Sequence, residues 1–510
     1  MRFRNIRWIL PLLAVLLLTG CGGPRPLRLS GGEVPVDTEE LTMVVQAEDL
    51  AQLDALPQLK RADFSGSDCY EELLAWAQAH PQVEVLYTVR FPDGSDVDNR
   101  TEGLDVSSLP REQREAIPPL LAYLPALRYL KLSGETAIST AQLQPFLEAR
   151  PDIEYDCSLP LLSGAVNTRT TAALSFIGHD SRDAEALAAV LPYLPALKTV
   201  DLGGEESSPE LAWEDIASLQ ALRPDVDFSY AFTLYDRDFT TLDETMSFSH
   251  YRMSDNGEAV WQVLPCMQKL KELDMDSCGV DNETMAAVRD RYPEVNVVWR
   301  VWFGSIYSAR TDAIKILASN PGVGGSLMPG TYENLKYFTK LKYLDVGHQP
   351  MLDDISFVSY MPDLEVAVLA MGSWSDASPL ADCPHLEFLE IQTTNVSDIS
   401  ALSGLKELRH LNLGHLFELT DISPIYDLDL ERLWIGTMTP IPAEQVEEYQ
   451  RRHPDCEVST EGYDPHYMWR WIGIDEKGAP IRHPRYDLLV KQMGYDREDY
   501  AFEWRENLGW

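Results

Sequence analysis

Leu386-Glu387-Phe388-Leu389-Glu390-Ile391 is followed by Leu408-Arg409-His410-Leu411-Asn412-Leu413 and then by Leu430-Glu431-Arg432-Leu433-Trp434-Ile435. Each copy is a leucine, two residues, an apolar residue, one residue and another apolar residue. Two earlier copies begin at Leu341 and Leu364, so the first leucines stand 23, 22, 22 and 22 residues apart. A fixed period of this length marks a solenoid in which every turn supplies one strand and a return segment. One turn cannot bury its apolar side alone, so the core closes only by stacking.

The chain before Leu341 looks irregular until it is aligned on Pro81, Pro151, Pro224 and Pro293, which lie 70, 73 and 69 residues apart. Each follows a helical segment, and proline cannot continue a helix. Each is followed by strict alternation: Val83 to Phe91, Ile153 to Leu161, Val226 to Leu234 and Val295 to Phe303 are apolar or aromatic at every second position. Such alternation places those residues on one inward face of a strand. The same units carry leucine-rich segments at Leu59, Leu127, Leu197 and Leu270, and weaker strands near Leu104, Leu174, Met246 and Ile314. Three strands in about 70 residues again give about 23 per turn.

The fold expected is therefore α/β: a leucine-rich repeat solenoid, a right-handed arc with parallel strands on its concave face and helices or short turns on its convex face. It should run continuously from about Leu41 to Val458. The divisions are 1–20, a signal peptide; 21–40, a flexible tether; 41–330, long repeat units; 331–460, regular repeats; and 461–510, a non-repeating aromatic-rich cap or tail. That tail, with Trp469, Trp471, Tyr486 and Trp504, is expected to cover the open end of the stack. An aromatic platform for a glycan or peptide is the other reading.

Arg2, Arg4 and Arg7 precede an apolar stretch from Trp8 to Leu18, too short to span a bilayer. It ends in Leu18-Thr19-Gly20-Cys21, which resembles the lipobox of bacterial lipoproteins. The resemblance implies cleavage before Cys21, lipidation of its thiol and a protein held on the outer face of the cell membrane; two acyl chains would anchor it stably. Cleavage would remove three arginines and no acid, moving the net charge from −39 to −42. That surface repels phosphate, so nucleic acid is excluded as a partner. No later stretch is long and apolar enough to span a bilayer, so the remainder is expected to be soluble. Six other cysteines (Cys69, Cys157, Cys266, Cys278, Cys383 and Cys456) form no C-x-x-C pair, and several fall at apolar repeat positions. Buried thiols are at least as well supported as disulfides.

The return segments Asp354-Ile355-Ser356, Asp376-Ala377-Ser378, Asp398-Ile399-Ser400 and Asp421-Ile422-Ser423 resemble those of internalin-type leucine-rich repeats. The whole chain, lipobox included, resembles leucine-rich repeat lipoproteins of Firmicutes. Internalin-type repeats carry an asparagine eight residues after the first leucine; here those positions hold Gln349, Gly372, Thr394 and Leu416. The aspartate column could form a cation ladder, but the serine two residues on favours capping of the next helical turn.

No G-x-S-x-G elbow, H-E-x-x-H, P-loop or dinucleotide glycine run is present. The cluster Gly322-Val323-Gly324-Gly325-Ser326 reads as a loop, and His410 with His415 lacks a third metal ligand. No cofactor, no metal and no catalysis are expected. The residues between the buried ones should form an exposed contact surface: Tyr343, Phe388, Glu390, His410, Asn412, Arg432 and Trp434. The function expected is recognition of a protein or peptide at the bacterial surface. The alternative is an envelope spacer without a discrete ligand.

Overall fold

The computed structural model describes residues 25–460 except 135, 320–326 and 437, together with 471–474, 476–477, 480–482 and 491. The signal peptide, Cys21, the cluster 322–326 and most of the tail lie outside these residues. The chain divides into two compact units, Met1–Phe232 and Thr233–Trp510.

Every helix that leads to one of the four aligned prolines, and the later one that leads to Pro454, stops two residues short of it. These helices are Tyr70–Ala79, Thr140–Ala149, Trp213–Leu222, Asn282–Arg291 and Ala443–Arg452, ahead of Pro81, Pro151, Pro224, Pro293 and Pro454. The proline ring crowds the preceding residue out of helical geometry. Accordingly His80, Arg150, Arg223, Tyr292 and His453 have ψ between 61° and 79°. Two of these residues also tie one turn to another. The Arg150 guanidinium donates to the carbonyls of Leu121, Leu124 and Leu127 at 3.0, 2.9 and 3.1 Å. Arg223 donates to Leu191 and Leu194, both at 2.8 Å.

In the long units the three strands pair in parallel, in the order weak strand, leucine-rich strand, post-proline strand. Unit Met1–Phe232 contains Glu40–Thr42 with Arg61–Asp63 and Glu84–Leu86, then Gly103–Asp105 with Tyr129–Lys131 and Glu154–Asp156. Ala173–Ser175 and Thr199–Gly204 follow, and the next strand, Asp227–Leu234, carries the boundary between units. Unit Thr233–Trp510 adds Thr245–Ser247, Glu272–Asp274 and Asn296–Val298.

The alternating runs face inward as expected, with Val83, Tyr87, Val89 and Phe91 buried. Three of the four, however, are two strands rather than one. Glu84–Leu86 joins the parallel sheet, whereas Thr88–Arg90 turns away and pairs antiparallel with Asp96–Asp98. Ser158–Leu161 with Gly164–Asn167, and Arg300–Trp302 with Ser308–Arg310, form the same hairpin. These hairpins interrupt the parallel hydrogen-bonded ladder. The stretch expected to be a flexible tether also contains a hairpin, Leu27–Leu29 with Gly32–Val34, and buries Leu29 and Val34.

The ladder is unbroken from Lys315–Leu317 through Tyr343–Asp345, Val366–Val368, Phe388–Glu390, His410–Asn412 and Arg432–Trp434 to Glu457–Ser459. These seven parallel strands have leucines stacked in register, with Leu389, Leu411 and Leu433 all fully buried. A turn of 22 residues leaves room only for a short return, and the returns are 3-10 turns at Ser356–Tyr360, Ser378–Asp382, Ser400–Gly404 and Ser423–Ile425. Each begins at a serine whose amide donates to the aspartate two residues before it, at 2.9, 2.8, 2.8 and 2.8 Å. The aspartate column is therefore a set of caps. Among the described residues no group of acids, histidines and cysteines is arranged to hold a metal.

The Ser378 and Ser400 amides hold the Asp376 and Asp398 carboxyls below the ordinary 3.8. A lowered folded-state pKa stabilises at pH above the unfolded value, and that stability is lost as pH falls through the folded one. Asp398→Ala is expected to lower stability measurably at neutral pH, by removing the acceptor for the Ser400 amide. The deficit should shrink below about pH 4, where the wild-type carboxyl is itself being protonated. Urea titrations of both proteins at pH 7 and pH 3 check this.

Other polar groups stand in for the missing asparagine ladder. Gln349 is buried, donates to the Ala318 carbonyl at 2.5 Å and accepts from the Leu327 amide at 3.0 Å. Asn395 donates to the Ser373 carbonyl at 2.7 Å, and the Thr439 hydroxyl lies between the carbonyls of Leu413 and Ile435 at 2.9 and 2.7 Å. Burial pushes the thiols of Cys157 and Cys456 up to about 11 and those of Cys278 and Cys383 to about 12. No helix among the described residues is long and apolar enough to cross a membrane.

Candidate recognition face

Strand alternation sets the leucines on one side and two columns of variable residues on the other. One column runs Tyr343, Val366, Phe388, His410, Arg432; the other runs Asp345, Val368, Glu390, Asn412, Trp434. The seven residues expected from sequence thus share one sheet face. Phe388 and His410 stack at 4.6 Å between ring centroids, with 11° between their planes. Trp434 falls in the other column, beside Asn412 rather than His410, and its ring meets that of His415 edge-on at 6.2 Å.

The expectation that this surface is exposed is overturned. Glu390 and Asn412 are 0 % exposed, His410 1 % and Trp434 4 %, and Phe388 and Arg432 are also buried. Only Tyr343, at the rim, is half-buried, and its hydroxyl donates to Glu365 at 3.1 Å. The face is therefore closed, not open to solvent. A sequence signal for this existed: Val366-Ala367-Val368 is apolar at three consecutive positions, as in a strand covered on both sides.

Polar contacts fix several of these side chains. Gln392 donates to the Glu390 carboxylate at 3.2 Å, and the Asn412 side-chain carbonyl accepts from the Gly414 amide at 3.0 Å. Gly414 lies so close to Trp434 that a side-chain carbon there would come within 2.9 Å of the indole. Burial pulls the Arg432 guanidinium below its ordinary value, an effect that the Glu457 carboxylate at 3.3 Å offsets. The arrangement holds aromatic rings, two carboxylates (Asp345 and Glu390), one amide and one guanidinium on a rigid sheet. Among the described residues of this face, no nucleophile stands beside a base.

Outside the sheet, a cavity of about 620 Å³ is lined by Leu143, Leu147, Ile153, Tyr155 and Tyr193 in unit Met1–Phe232. Sequence reasoning did not find it, because it lies beside a strand-to-hairpin break that alternation does not reveal.

No family profile and no curated protein matches the chain. Among solved structures, the chain is similar to an internalin (inlF) of Listeria monocytogenes at 18 % identity, covering 70 % of this chain and 85 % of that one, with a TM-score of 0.26. It is also similar to a leucine-rich repeat protein of Leptospira interrogans at 13 % identity, covering 80 % and 91 % of the two chains, with a TM-score of 0.25. A third is the functional domain of InlJ from Listeria monocytogenes, at 11 % identity, 81 % and 59 % coverage and a TM-score of 0.21.

Proposed function

We propose that the protein is a lipid-anchored leucine-rich repeat protein outside the bacterial cytoplasm that recognises a protein or peptide and performs no catalysis. The observation that carries this reading is the seven-stranded parallel sheet, which fixes aromatic and charged side chains in two columns along one face. Aromatic residues with arginine on a rigid support are the side chains that dominate binding energy at protein interfaces. The anchor rests on Leu18-Thr19-Gly20-Cys21. Crosslinking in intact cells, followed by mass spectrometry, tests the reading. A single recurrent partner is expected; failure to recover any partner would favour a spacer instead. For the anchor, incorporation of a palmitate analogue is expected in the wild type and lost in Cys21→Ser; equal labelling of both would rule the anchor out.

A further inference from the structure

The groove of about 620 Å³ beside the helix Thr140–Ala149 exists because the ladder breaks there. After Glu154–Asp156 the chain turns into the hairpin Ser158–Leu161 with Gly164–Asn167, so that strand ends its sheet. The returning arm delivers Thr168, which is buried. Its hydroxyl donates to the Tyr155 carbonyl at 2.6 Å and accepts from the Cys157 amide at 3.0 Å. One small side chain thus closes the strand edge. The space beyond it stays open, between Leu147 on one side and Pro192, Tyr193 and Pro195 on the other.

The hairpin Arg300–Trp302 with Ser308–Arg310 repeats this construction within unit Thr233–Trp510. Pro293, Val295, Val297 and Thr311 stand there as Pro151, Ile153, Tyr155 and Thr168 do here, and they line a groove of about 430 Å³. Thr311 is buried, and its hydroxyl accepts from the Trp299 amide at 3.2 Å. The walls differ. Arg289, Thr339 and Lys340 occupy the places of Leu147, Pro195 and Ala196. Arg289 donates to the Tyr337 carbonyl at 3.0 Å and Lys340 to the Asn296 side chain at 2.6 Å. The same construction therefore closes with polar walls, so folding alone does not account for the apolar walls of the first groove.

We propose that the groove in unit Met1–Phe232 is a docking site for a proline-rich peptide in the polyproline II form, separate from the candidate recognition face. Rings dominate its lining: Pro151, Tyr155, Pro192, Tyr193 and Pro195. Prolines lose no rotamer freedom on contact, and polyproline II segments dock in ring-lined grooves. Leu143 and Ile153, both buried, give the groove an apolar floor. Its charged residues, Glu154 and Arg169, pair with each other, so the mouth suits a neutral occupant. A proline-rich backbone offers carbonyl acceptors and few N–H donors. Arg169, about half exposed and held over the Tyr129 ring at 5.3 Å, brings guanidinium donors to that mouth.

Fluorescence anisotropy of the purified full chain tests this, with fluorescein-labelled decaproline and a labelled Gly-Ser peptide of equal length. Saturable binding of decaproline, and none of the Gly-Ser peptide, is expected. Leu147→Arg and Ala196→Lys each install the residue that the second groove carries, so the fold should accept them, with circular dichroism as the check. Each is expected to weaken decaproline binding by at least about tenfold. Tyr193→Ala, at the rim, takes the place of either variant that does not fold. No saturable binding of decaproline, equal binding of the Gly-Ser peptide, or unchanged binding by the groove variants would overturn the proposal. Uptake of the neutral dye N-phenyl-1-naphthylamine without any binding of decaproline would overturn it too, and would mark a small-molecule pocket. Failure here leaves the recognition reading standing, since that reading places its contact in unit Thr233–Trp510.

Discussion

Leu411→Ala is expected to lower the stability of the unit Thr233–Trp510 by about 3 kcal/mol. Leu411 lies on a central strand, fully buried, in register with Leu389 on one side and Leu433 on the other. Deleting its side chain removes transfer energy and leaves a cavity. The walls are stacked leucines held by hydrogen-bonded strands, so they cannot collapse into it. Because neighbouring turns share that core, the loss should spread along the array rather than stay local. Urea unfolding followed by circular dichroism checks this: the midpoint should fall clearly. An unchanged midpoint would mean that these leucines do not stack.

Arg150→Ala is expected to cost about 3 kcal/mol in unit Met1–Phe232. Its guanidinium caps three carbonyls of the preceding turn and also pairs with Asp152 at 2.7 Å. That pairing holds the Asp152 carboxyl down to about 2. The carboxylate is largely exposed, so the ion pair itself contributes little. The cost comes from the carbonyls, which lose their donors while still partly buried. Arg150→Lys should restore only part of the stability, because one ammonium cannot reproduce the planar fork. Asp152→Ala should be nearly silent. Thermal unfolding of the three variants separates these contributions; a large effect of Asp152→Ala with a small one of Arg150→Lys would contradict this assignment.

Much of the local architecture was legible in the sequence. The five helix ends were readable because proline acts on its immediate neighbours, whatever the tertiary context. Strand positions at Leu341 to Ile435 were readable because a 22-residue period admits one registration of leucines. The caps at Asp354, Asp376, Asp398 and Asp421 were readable because each brings its own serine. The hairpin at Thr88–Arg90 was not: alternation looks the same whether a strand's partner is parallel or antiparallel. Nor was the substitution of Gln349 for the asparagine ladder, since its acceptor, Ala318, is 31 residues away. At the candidate face, sequence identified which residues share a side but not whether that side is open. Phe388, Glu390, His410 and Trp434 read as exposed because strand alternation sets them opposite the buried leucines. What buries them acts across the sheet, and its one local trace is the apolar run Val366-Ala367-Val368.

We propose that recognition runs through the variable columns of the seven-stranded sheet. It is tested most directly by repeating the intact-cell capture with Phe388→Ala/Trp434→Ala, at matched surface abundance and with folding checked by circular dichroism. Recovery of the recurrent partner should fall by at least about tenfold, as loss of two interface anchors worth 1–2 kcal/mol each would give. Recovery equal to that of the wild type would contradict the claim and move the contact surface elsewhere on the chain.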